Sequence, residues 1–185
     1  SVTSLGDISI ITGSNMAGKS TFQRTVGINL ALAYAGGPVN ARRLRTDLFR
    51  LFTCIKVTDS VTNGISYFYA EVKRLRALLS ALETDDPLPL FFFIDEIFRG
   101  TNNRERYIGS KAYVQTLTGQ NGVGLISTHD LELAKLAGQF PTIDNYHFRD
   151  DIDGDQMVFD YQLHTGPCPT TNALKIMQLE GLPVK

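Results

Sequence analysis

Gly13-Ser14-Asn15-Met16-Ala17-Gly18-Lys19-Ser20 fits the spacing G-x-x-x-x-G-K-[ST], and Thr21 follows directly. Residues of these types in this order handle phosphate. Glycines let the backbone turn tightly, so that N–H groups from about Asn15 to Ser20 converge on an anion, and the positive end of the following helix adds to their field. Lys19 is placed to neutralise β- and γ-phosphate charge, and Ser20 to bring a hydroxyl to Mg2+. A chance match in a Gly-containing turn is the plain alternative, and a strand before the loop with a helix after it counts against that alternative.

A second stretch, "FFFIDE", ends an apolar run in two acids, Asp95 and Glu96. Nucleoside triphosphate hydrolysis needs a carboxylate close to Mg2+ at the end of a neighbouring strand. Asp95 fits that role, directly or through a metal-bound water. Glu96 comes next, and because side chains alternate along a strand it is expected to point elsewhere, as a general base on an attacking water. A third stretch, "STHD" at Ser127–Asp130, brings His129 to the same sheet edge, where it could contact a γ-phosphate or orient the water. The bland readings are solvated acids at a strand end and a polar residue opening a helix. The arginines of "ARRLRTDLFR" (Ala41–Arg50) could touch phosphates, but no aromatic residues interleave with them in a binding pattern, and a solvated loop is the better reading.

Such groups meet only if the elements between them fold correctly. "DISIIT" reads as a buried strand, and Phe22, Val26, Leu30 and Ala33 recur at helical spacing until "AGGP" stops the helix. Leu48–Val57 is β-rich. Ser66–Glu83 is an amphipathic helix with Phe68, Val72, Leu75, Leu79 and Leu82 on its apolar face. Leu90–Glu96 reads as a central strand buried on both faces. A helix from about Arg104 to Leu117, a strand at Val123–Thr128 and a short helix at Leu131–Ala137 follow. "TIDNYHFR" and "QMVFDYQLH" flank the turn signal Asp153-Gly154, and "NALKIMQLEGLP" reads as a closing helix. The alternation predicts an α/β fold: a mostly parallel sheet flanked by helices, with a C-terminal antiparallel hairpin.

With 185 residues, 43% of them apolar, the chain suits one compact domain, residues 1–185. A net charge of −1 supplies no global basic field for nucleic acid. Cys54 and Cys168 lie far apart without metal-ligand spacing, which points to a reduced, cytoplasmic protein. No apolar run approaches a membrane span. The loop follows so soon after the opening "SVTSLGDISI" that a piece of a longer protein is expected.

"TGSNMAGKST", "FIDEIFRGTNN", "STHDLELAKL" and "ALKIMQLEGLP" together resemble the ATPase domain of the MutS family, in order and over nearly the whole chain. Asn15-Met16 between the loop glycines, Asp95–Thr101, and Ser66, Phe68 and Glu71 as a Ser-x-Phe-x-x-Glu helix start all match that family's pattern. A Gly-rich LSGGQ-like signature of other cassette ATPases is absent. The resemblance implies a P-loop NTPase of ATP-binding-cassette-like fold, ATP and Mg2+ as cofactors, ATP/ADP as ligands, and a dimer with its sites near the interface. By position it implies nucleotide contacts from Gly13, Ser14, Asn15, Met16, Ala17, Gly18, Lys19, Ser20 and Thr21. It implies metal contacts from Ser20 and Asp95, and catalytic roles for Glu96 and His129. Tyr161 would contact adenine, the alternative being a half-buried strand aromatic. Ser66, Asn102 and Glu105 would act across the dimer, the plainer alternative for Ser66 being the N-cap of its own helix.

Two departures stand out. Ser14 and Ala17 replace the usual Pro and Gly, and Ala17 restricts the backbone if the loop needs φ > 0 there. "FRGTNNRER" adds Arg104 and Arg106. A divergent MutS-like branch is expected, with ATP hydrolysis driving a DNA-binding dimer of the mismatch-repair or recombination type, DNA being held through segments outside these residues. A nucleotide-gated module with little hydrolysis, and an ATPase not acting on mismatches, are the alternatives.

Overall fold

A computed structural model describes residues 4–14, 16–55, 67–98, 100–153, 156–169 and 183. Its strands are β1 (Ile8–Thr12), β2 (Arg50–Cys54), β3 (Leu90–Asp95), β4 (Gly122–Ser127), β5 (Ile143–Asp153) and β6 (Gln156–Thr165). Its helices are α1 (Lys19–Tyr34), α2 (Tyr67–Leu82), α3 (Asn103–Leu117) and α4 (Leu131–Ala134), the last running into a 3-10 turn over Lys135–Gly138. The expected closing helix and the residue Gly154 of the expected turn lie outside the described residues.

The six strands form one sheet in the order β2-β3-β4-β1-β5-β6. The first five are mutually parallel, and β6 returns antiparallel to β5. An α/β architecture with a mostly parallel sheet and a late hairpin is therefore observed as expected.

Strand β3 shows why the layers form. Leu90, Phe92 and Ile94 pack on one face with Leu75, Leu78 and Leu82 of α2 and Val114 and Leu117 of α3. Phe91 and Phe93 pack on the other with Leu30, Phe22 and Val26 of α1. A strand covered on both sides has no polar face, which is what the unbroken apolar run signals. Fully burying each such side chain is worth about 1.5–3 kcal/mol.

The buried faces of the helices differ from the apolar stripes. On α2 the buried residues are Glu71, Leu75, Leu78 and Leu82, while Phe68 is 39% exposed. The face is rotated because Glu71 turns inward to accept a backbone hydrogen bond. On α1, Gln23 is fully buried and its Nε2 donates to the carbonyls of Ile94 and Leu125, both at 3.0 Å. A polar residue thus ties the helix to two strands at once. Arg50 leaves the basic stretch to serve the fold: its guanidinium donates to the carbonyls of Leu88 and Ala81 and lies 3.3 Å from Asp86. Residues 41–48 are exposed, as a solvated loop should be.

Gly124 sits where β4 passes the Phe92 ring; a Cβ there would stand 2.3 Å from its Cε2. Phe92 is 1% exposed and has nowhere to go. Gly124→Ala is expected to destabilise the domain by about 1–3 kcal/mol through overpacking, read as a lowered urea midpoint with an unchanged m-value.

Candidate active site

β1 ends at Thr12, β3 at Asp95 and β4 at Ser127. In register, Ile11 and Asp95 both lie opposite Ser127, so the carboxyl ends of these strands finish level at one edge. Crevices outside strand carboxyl ends are where open α/β sheets bind ligands.

The loop leaving β1 turns on two glycines, Gly13 with φ 135° and Gly18 with φ 103°. At Gly13 a Cβ would meet the Phe148 carbonyl oxygen at 2.6 Å, so only glycine fits. Ala17 takes no positive φ and is fully buried against Ile11 and Phe148. The restriction expected at this position does not arise; the methyl fills a core contact. Lys19 is 3% exposed, and its Nζ donates to the carbonyls of Gly13 at 2.6 Å and Ser14 at 2.7 Å. The loop wraps its own ammonium group. Met16 is 74% exposed and Thr21 faces solvent. Asn15 and Ser66 lie outside the described residues.

Asp95 continues the face of Phe91 and Phe93, the side covered by α1. Its Oδ2 accepts from Ser20 Oγ at 2.8 Å and its Oδ1 from Ser127 Oγ at 2.6 Å. The two expected metal-contacting residues, Ser20 and Asp95, are thus in direct contact. Ser127 is the residue that motif reading passes over; its signal is the alternation Val123, Leu125, Ser127, which puts it on the same face as Asp95.

Glu96 finds a different partner from Asp95, but through a turn rather than through strand alternation. The strand stops at Asp95 and Glu96 turns left-handed, φ 57°. Its carboxylate is 8% exposed and its Oε1 lies 3.2 Å from Nδ1 of His129. Phe98 is also left-handed, φ 57°, and its N–H donates to Glu71 Oε1 at 2.7 Å. Non-glycine residues held in this region cost of order 1–3 kcal/mol each and persist only where surroundings enforce them. Glu71, from α2, is one enforcing contact.

Tyr161, likewise left-handed at φ 52°, is 66% exposed. A Cβ built on Gly18 would stand 3.5 Å from its Cδ1, so the ring lies beside the last loop glycine rather than half-buried in the sheet. Asn102 caps α3, its Oδ1 accepting from Glu105 N–H at 3.0 Å, and Glu105 Oε2 accepts from Thr101 Oγ1 at 2.7 Å. Both are exposed and both serve their own helix end. Cys54 is a core residue: burial pushes its thiol up to about 12 despite the opposing Arg74 charge, so it is no nucleophile at neutral pH. No described helix is long and apolar enough to cross a membrane.

Fold and site together define the class: an α/β domain whose chemistry-bearing loops converge at one edge of a mixed six-stranded sheet. The chain belongs to the MutS family, for the family model described as MutS domain V matches residues 9–185. It is similar to the DNA mismatch repair protein MutS of Natronomonas pharaonis, 32% identical over 178 residues, 95% of this chain and 20% of that protein. The protein of that name from Methanococcoides burtonii is 33% identical over 180 residues (95% and 20%), and that from Geobacillus kaustophilus 34% over 176 (94% and 19%). The chain therefore spans about a fifth of the length of the curated relatives it matches.

Glu71→Ala strands the Phe98 N–H and is expected to cost about 1–3 kcal/mol in chemical denaturation. Glu71→Gln, which keeps an acceptor oxygen, is expected to recover most of that loss.

Proposed function

We propose that this domain is the nucleotide motor of a MutS-type protein: a P-loop NTPase of ATP-binding-cassette-like fold that binds Mg–ATP and hydrolyses it. The observation that carries the reading is the 2.8 Å hydrogen bond from Ser20, at the start of α1, to Asp95, at the end of β3. It joins the phosphate-type loop to the acidic strand end.

The residues fit a hard divalent cation. Ser20 and Asp95 offer adjacent oxygen donors on a rigid scaffold, and Mg2+ is typically held through one or two protein oxygens plus substrate phosphates. When bound there it would neutralise charge on the triphosphate oxygens. The N–H groups of residues 16–20 and the N-terminus of α1 would receive the phosphate chain, and Lys19 would move its ammonium from the Gly13 and Ser14 carbonyls to phosphate oxygens. Glu96 would take a proton from the attacking water. Its pairing with His129 supports that role, since the histidine fixes the carboxylate's direction at the edge where a γ-phosphate would sit. Hydrolysis would then reset a dimer in the parent protein, and DNA handling would be the work of that longer chain, of the mismatch-repair type that the names of the relatives state. Ala17 keeps an unstrained backbone, so its replacement of glycine gives no reason to favour a nucleotide-gated module with little hydrolysis.

Lys19→Ala is expected to abolish ATP binding in equilibrium titration. Glu96→Ala is expected to bind ATP within about threefold of the parent while multiple-turnover hydrolysis falls by about 10²–10⁴-fold. Normal turnover by the Glu96 variant would overturn the base assignment, and tight ATP binding without turnover in the parent would favour the gated module.

A further inference from the structure

The β5–β6 hairpin carries an irregularity in its register. Phe148 pairs with Leu163 and Asp150 with Phe159, so Arg149 alone faces residues 160–162. Tyr161 is the middle residue of this bulge. Phe159 packs into the small core of Ile11, Ala17 and Phe148, whereas the Tyr161 ring stays exposed next to Gly18. A left-handed aromatic is uncommon. Here it leaves the ring exposed beside Gly18, at the mouth of the phosphate-type loop.

Two side chains hold the bulge. Asp160 Oδ1 accepts from the Gln162 N–H at 2.9 Å, bridging Tyr161. Asp160 Oδ2 meets His164 Nε2 at 2.7 Å, a contact across four residues of one strand that only the bulge brings together. His164 lies against the buried His147, ring centroids 5.3 Å apart, and His147 Nδ1 is 2.9 Å from the Gly166 carbonyl oxygen. A chain of contacts thus runs from the core to Tyr161. The Gln162 N–H, and after it His164, hold the Asp160 carboxyl below the usual carboxylate range, so it is ionised when it makes these bonds.

We propose that Asp160 and His164 are positioning residues that lock Tyr161 into its left-handed bulge as a stacking platform for the base of a nucleotide whose phosphates occupy the loop at 13–20. The proposal rests on the nucleotide reading above and deepens it: the loop supplies phosphate affinity, and the Asp160 latch supplies base affinity. Stacking on one aromatic ring corresponds to roughly 5–150-fold in Kd.

The test compares Mg–ATP with inorganic tripolyphosphate, which has phosphates and no base, by equilibrium titration of the full chain. The parent is expected to bind ATP at least about fivefold more tightly. Asp160→Ala is expected to close most of that gap while the tripolyphosphate Kd moves by less than about twofold. Asp160→Asn, which keeps an acceptor for the Gln162 N–H, is expected to preserve most of the gap. Tyr161→Gly is expected to abolish it without lowering the thermal midpoint, because glycine takes this conformation freely. An unchanged gap in Asp160→Ala overturns the latch, as does an equal loss for both ligands, which would make Asp160 merely structural. Equal binding of ATP and tripolyphosphate by the parent overturns the platform and leaves the phosphate loop standing. Binding of neither overturns the nucleotide reading itself, and the platform with it.

Discussion

The carboxylate of Asp95 holds the site together. It receives one hydroxyl from the first turn of α1 and one from the end of β4, at 2.8 and 2.6 Å, while belonging itself to β3. A buried carboxylate without donors would be costly, so the arrangement is selective: the three elements must end level for the charge to be satisfied. The sheet order makes this demanding. β4 stands between β1 and β3, and Ser127 is therefore the bridge through which loop and acid are kept in register.

Around that fixed point three side chains are aimed by strained backbone rather than by regular structure. Glu96, Phe98 and Tyr161 are the non-glycine residues with positive φ among the described residues, and each lies in a turn or bulge at or beside the same edge. Strain of this kind needs an external partner. Glu71 supplies it for the turn after β3 by accepting the Phe98 N–H, and Asp160 supplies it for the hairpin by accepting the Gln162 N–H. Both partners are acids that bind backbone, and neither is a conventional site residue.

Local pattern made much of this legible. The glycine loop, the acidic end of β3 and His129 stand out because each sits in a short run of characteristic residue types, and the two-sided burial of β3 follows from an unbroken apolar run. Ser127 stayed hidden because its partner is 32 residues distant, and a serine at a strand end is commonplace. Glu71 was visible as part of a motif, but its inward turn was not, since an acid on an amphipathic helix is expected to face water. Gln23 escaped for the same reason.

From the sequence alone came the strand–loop–helix unit, the α/β class and the identity of the acids, because spacing along one chain dictates which groups share a turn or a face. Tertiary structure decided where those acids point. Glu96 turns toward His129 through a left-handed residue instead of following the pleat, Ala17 fills a core contact without straining the loop, and Tyr161 reaches Gly18 only through a bulge. Each of these depends on contacts between segments far apart in the chain, where backbone conformation is set by what packs against it and no local preference can forecast the outcome.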